Sequence, residues 1–150
     1  MDLSSLDETK LFTPLPPADY PIVGVAEGSG PGTSKEGNPK ITLVWKIQDD
    51  GTLEDILAAN GSEVSYDEAK NRKFYQHFPM HTDVGKKRFK ATVKAVNPNA
   101  DFSAVRPDDV GELIAGYTGV ARIAVGAYQG KPTNELKEIK PAGIEGFLSR

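Results

Sequence analysis

"NRKFYQHFPMHTDVGKKRFKATVKAVNP", residues 71–98, decides the fold. Its opening alternates. Phe74, Gln76 and Phe78 share one side, and Lys73, Tyr75 and His77 the other, as in a strand with one face turned inward. Pro79 ends that run. Thr82 is then a suitable helix N-cap, and Asp83 suits the positive end of a helix dipole. Phe89, Val93 and Val96 recur at helical spacing, and Pro98 stops the helix. The stretch predicts a strand that passes directly into an amphipathic helix, with the lysines and Arg88 mostly on the flank away from the core.

The chain on either side supplies the other strands. "YPIVGVAEG", residues 20–28, is β-rich and ends in glycines, and "GSGPGTSKEGNPK", residues 28–40, reads as a long flexible loop. "KITLVWKIQ", residues 40–48, sets Ile41, Leu43, Trp45 and Ile47 in strict alternation. Thr52 and Asn60-Gly61 bracket a short helix over Leu53–Ala59. "RPDDVGELIAG" gives about one helical turn. "YTGVARIAVGAYQG" and "TNELKEIKP" then form a hairpin. Three strands, a helix and two strands is the chain order of an OB-fold barrel, and closure would remove the exposed strand edges. The expected fold is therefore mainly β: a five-stranded OB-fold-like barrel with a helix between strands 3 and 4 and an irregular N-terminal arm. The arm, expected to be flexible, covers residues 1–19, where "TPLPPADYP" has no period; the domain covers 20–141, and a short tail covers 142–150.

With 150 residues the chain is most simply one domain that buries roughly two thirds of its unfolded surface. It has no cysteine, so disulfides and thiolate metal sites are excluded. No apolar run approaches the length of a membrane span, and "MDLSSLDETK" is acidic rather than basic-then-apolar. These features predict a soluble intracellular protein with no membrane partner. Charge is unevenly spread. Residues 1–69 hold 4 Lys/Arg against 13 Asp/Glu, whereas residues 70–150 hold 14 against 8. From Lys70 to Lys94 there are eight basic residues and one acid, Asp83. Such a run is either a solvated helix face or a local field that attracts a polyanion.

The hairpin carries the chemistry. Ile123, Val125 and Ala127 share a parity that suits a core face; Arg122, Ala124, Gly126 and Tyr128 share the other. Tyr128 with small neighbours leaves room for a flat ligand to stack, Arg122 suits a phosphate or a base, and Lys131 and Asn134 cluster at the bend. Tyr75 lies on the polar face of its strand, which makes it a stacking candidate. Trp45 has core parity, with a stacking platform as the second reading. Lys46, Arg72, Lys73 and Lys137, together with the basic residues of the helix, are the cations placed to follow phosphates.

Other chemistry finds less support. His77 and His81 are four apart, but Pro79 intervenes and no third ligand is evident, so no metal site is expected. "GSGPGTSKEG" lacks the Gly-Lys-Ser/Thr ending of a phosphate loop. No serine has a glycine elbow. One enzymatic pattern remains: Asp108 and Asp109, with Glu135–Lys137 or Glu138–Lys140 as a Glu-x-Lys motif, in the manner of Mg²⁺-dependent nucleases.

The segment from Arg72 to Pro98, followed by "DDVGELIAGYTGVARIAVGAYQGKPTNELKEIKPA", resembles small phage-encoded single-stranded DNA-binding proteins. The likeness lies in the aromatic strand ending "HFPM", in "GELIAGYTGVARIAV" and in the turn "YQGKPTNELKEIKP", and it covers roughly residues 20–141. It implies an OB-fold, non-catalytic binding of single-stranded DNA during phage replication or recombination, no cofactor, and a setting in the cytoplasm of the infected host. Replication or recombination proteins and further copies of the chain are the protein partners it implies. One departure is the C-terminus: many such proteins end in an acidic tip that recruits partners, whereas this chain ends "IEGFLSR". The competing functional readings are the nuclease and a protein-interaction barrel whose basic face meets an acidic partner.

Overall fold

The computed structural model describes residues 13–141, and of Tyr128 only the backbone. Residues 1–12 of the expected arm and the expected tail, 142–150, lie outside the described residues. The elements are β1 (Ala18–Thr33), β2 (Pro39–Ile47), α1 (Leu53–Ala59), α2 (Tyr66–Ala69), β3 (Lys73–Pro79), α3 (Asp83–Val96), β4 (Thr118–Tyr128) and β5 (Lys131–Pro141). Two 3₁₀ turns, Phe102–Ala104 and Pro107–Leu113, lie between α3 and β4. The molecule is mainly β, built on one five-stranded antiparallel sheet in the order β3-β2-β1-β4-β5. The expected closure into a barrel is not formed. β3 and β5 approach each other across a cleft, but no strand ladder joins them among the described residues.

The core follows from the alternation. Ile41, Leu43, Trp45 and Ile47 are buried on one face of β2, and the register sets Ile41 against Phe78 and Trp45 against Phe74. Gln76 falls on this inward face, where its Oε1 accepts the Trp45 Nε1–H at 2.8 Å, so both polar groups are satisfied. Phe89, Val93 and Val96 of α3 cap one end of the core, with Phe89 edge-on to Phe78 at 5.7 Å between centroids. Thr82 caps α3 by accepting from the Gly85 N–H at 3.0 Å. Gly85 has to be glycine: a Cβ there would sit 1.8 Å from the Pro79 carbonyl oxygen. That close approach lets the helix start directly on the end of β3. Gly24 is pressed in the same way, with a Cβ position 2.1 Å from the Ile114 carbonyl oxygen.

Three expectations need correcting. The flexible loop expected over 28–40 is mostly strand: pairing runs on to Thr33 and resumes at Pro39. The irregularity is a bulge between Val25 and Gly30. Ser29 closes it, its Oγ donating to the Val25 carbonyl at 2.7 Å and accepting the Val44 N–H at 2.8 Å. The arm is not free from residue 13 onward. Leu15 is fully buried, and the Tyr20 hydroxyl donates to the Pro16 carbonyl at 2.6 Å. Burial pushes the Tyr20 phenol up to about 12. Finally, Val125 is 44% exposed although its parity matched the core. The alternation of β4 holds through buried Ile123, but beyond it the hairpin projects past the core, so parity no longer decides burial; the ladder's bulge, with Lys137 as its extra residue, lies in β5.

α1 has the expected bounds, while α2 was not expected. Its signal was present: Ser65 accepts from the Glu68 N–H at 3.2 Å, the spacing of a capping box.

Candidate functional site

The open side of the sheet is a groove. Arg72, just before β3, and Lys73–Tyr75 of β3 face Lys131–Asn134 and Leu136 of β5 across a cleft of about 550 Å³. A second hollow of about 390 Å³ continues it, with Tyr75–Phe78 facing Asn134–Lys137. Tyr75, Asn134 and Leu136 line both, so the two form one channel. Its lips run in the same chain direction. At the cleft end, Gln129 and Gly130 make a two-residue hairpin turn with φ values of 52° and 78°. Positive φ at both central positions is the primed turn that suits the twist of a hairpin.

Tyr75 stands on this channel with 58% of its surface exposed, on the outward face of β3 as its parity requires. Lys73 and Lys131 are exposed on opposite lips of the cleft. Lys46 pairs directly with Lys73 across β2 and β3, and like charges so placed repel until an anion intervenes. Lys137 lines the second hollow but is bonded to Glu135 at 2.7 Å. Arg88, expected only as one of the helix's basic residues and not singled out among them, joins from α3 and reaches over the Phe78 ring at 5.8 Å. Its signal was its place beside Phe89, on the flank of the helix that faces β3. No acidic side chain lines the 550 Å³ cleft among the described residues.

Two expected contacts turn out to hold the fold together. Asn134 pairs with the backbone of Leu15 as a strand would: its Oδ1 accepts the Leu15 N–H at 2.8 Å and its Nδ2 donates to the Leu15 carbonyl at 2.9 Å. Nδ2 also reaches the Ala124 carbonyl at 3.3 Å, and Oδ1 accepts from Arg72 Nη1 at 3.5 Å. Its hydrogen-bonding capacity is thus used inside the protein. Arg72 is largely buried at the cleft floor, where Glu68 lies 4.0 Å away. Desolvation lowers its pKa, and the Glu68 charge acts against that shift.

Trp45 does not reach the groove. It is fully buried and presents no ring face to a ligand, because its alternation with Leu43 and Ile47 points it inward. Arg122 is not brought there either. It lies 3.6 Å from Asp19, which also pairs with Lys140 at 3.5 Å. Tyr128 is at the groove's hairpin end by backbone, pairing with Lys131; its side chain lies outside what is described. Asp108 and Asp109 are exposed on the second 3₁₀ turn, apart from the groove lining, and Glu135 is held by Lys137. Among the described residues, no three His, Cys, Asp or Glu side chains are grouped to hold a metal ion.

His77 lies in the second hollow, its Nδ1 2.8 Å from Thr42 Oγ1. Desolvation first, and the Lys40 charge second, lower its pKa from 6.5. The unfolded chain therefore takes up a proton at this ring before the folded chain does. The neutral ring's contribution to stability is fully present above pH 6.5 and is lost as pH falls from there through the lower folded-state pKa. Thermal melts should show a Tm that starts to drop as pH falls below 6.5, and His77→Gln should remove that part of the drop.

No helix of the described residues is long and apolar enough to cross a membrane. No protein-family model matches the chain, and no curated protein matches it.

Proposed function

We propose that the groove between β3 and β5 binds single-stranded DNA without catalysis, on a sheet that is an OB-fold barrel left open along one seam. The strand order, with its helix between β3 and β4, supports that reading of the fold. The observation that carries the function is the exposed Tyr75 ring in a channel whose lips present Lys73, Lys131 and Arg88. A ring offers a stacking surface to any unpaired base, and the cations follow the phosphates. A duplex hides its base faces, so this arrangement favours the single strand. The setting in phage replication or recombination rests on the sequence resemblance.

Anisotropy titration of fluorescein-labelled oligo-dT against a duplex of equal length tests the proposal. Oligo-dT should bind more tightly. With about four phosphates neutralised, log affinity should fall with log salt at a slope of about −3. Equal binding of the duplex, or no binding of oligo-dT at low salt, would overturn it. Added Mg²⁺ should leave the oligonucleotide intact; cleavage products would shift the assignment to the nuclease reading.

A further inference from the structure

A separate apolar hollow, distinct from the groove, lies on the other flank of α3. Met80, Phe89, Phe102, Val110 and Leu113 form an apolar floor of about 230 Å³. Lys86, Lys90 and Arg106 stand at its rim, all exposed. None of these three is in an ion pair among the described residues. Lys90 lies 5.9 Å from the Phe102 ring centroid, which holds its charge at the mouth. Pro107, Val110 and Leu113 of the second 3₁₀ turn line the hollow, whereas Asp108 and Asp109 of the same turn do not.

This site is separate from the groove because of helix geometry. Successive residues turn by about 100°, so Arg88 and Lys90 lie on opposite sides of buried Phe89. Arg88 serves the groove, and Lys90 serves the apolar hollow. The basic run of α3 is therefore divided between two surfaces.

We infer that this hollow docks an acidic peptide segment of a partner protein, one aromatic side chain entering the floor and carboxylates meeting the rim. The size fits: a cavity of about 150 Å³ is enough for benzene, so this hollow takes one ring and no larger element. The charge fits as well. Lys86 and Lys90 are one helical turn apart, about 6 Å along the axis. Carboxylates on alternate residues of an extended peptide recur about every 7 Å. An aromatic residue followed by acids at alternate positions thus matches both floor and rim.

The probe is a short fluorescein-labelled peptide with one phenylalanine followed by glutamates at alternate positions, titrated into the full chain. Saturable binding is expected, weakened about thirtyfold when serine replaces the phenylalanine, as for a buried aromatic anchor. The double variant Lys86→Glu, Lys90→Glu should weaken binding about tenfold or more while its melting temperature and oligo-dT affinity stay near those of the parent. Excess oligo-dT should not displace the peptide. Equal binding of the serine peptide, indifference to the double variant, or displacement by oligo-dT would each overturn the inference. The last outcome would place the peptide in the groove.

Discussion

Asn134→Ala is expected to lower the free energy of unfolding by about 2–5 kcal/mol. The substitution removes a carboxamide that completes the hydrogen bonding of Leu15 on both sides, at 2.8 and 2.9 Å. It strands an N–H and a carbonyl in a protected position, each costing about 1–3 kcal/mol, and releases the Ala124 carbonyl and one Arg72 contact as well. Urea denaturation followed by far-UV dichroism measures the loss. Asn134→Asp should be no milder, since it replaces the donor amide with an oxygen facing two carbonyls. Leu15→Ala, which empties a fully buried site, should cost a similar amount. Because both changes undo the same anchor, the double variant should lose less than the two losses added together. A loss below about 0.5 kcal/mol for Asn134→Ala, the level of an ordinary surface change, would show that Leu15 is held by other means.

Tyr75→Ala should weaken oligo-dT binding by about 1–3 kcal/mol, which is roughly 5- to 150-fold. The ring is 58% exposed, so the melting temperature should hardly move, and that separates a stacking role from a packing role. Tyr75→Phe keeps the ring and should keep most of the affinity. Lys73→Ala and Lys131→Ala act on a different term: each should lower the salt slope by about 0.7 with no effect on base preference. Unchanged affinity for Tyr75→Ala, measured by anisotropy at low salt, would remove the central contact from the proposal. Tryptophan emission is a poor reporter here, because Trp45 is enclosed by the core and bonded to Gln76.

Local rules made much of the fold legible. The strict alternation of β2, the Thr82 cap and the spacing of Phe89, Val93 and Val96 each act within a few residues, and each matches the structure. Tyr75 was legible for the same reason, since its neighbours Phe74 and Phe78 are drawn to the core and leave it outside. What could not be read depends on partners far away in sequence. A leucine among prolines gives no sign that it docks on residue 134, and an asparagine near a turn looks like any surface amide. Arg122 resembles a ligand contact until Asp19 is brought beside it. The bulge in β1 was hidden because glycines that end a strand and glycines that only bend it have the same composition.

The bond between Leu15 and Asn134 joins residues 119 positions apart. Closing a loop of that length carries an entropy cost of about 4 kcal/mol, so this link cannot nucleate folding and has to form after cheaper contacts have gathered the strands. On the ribosome, at about 5–20 residues per second, the leucine waits about 6–24 s for its partner to be made. The lip that Asn134 helps to build is absent until then. A nascent or prematurely terminated chain that stops before β5 therefore lacks the completed groove.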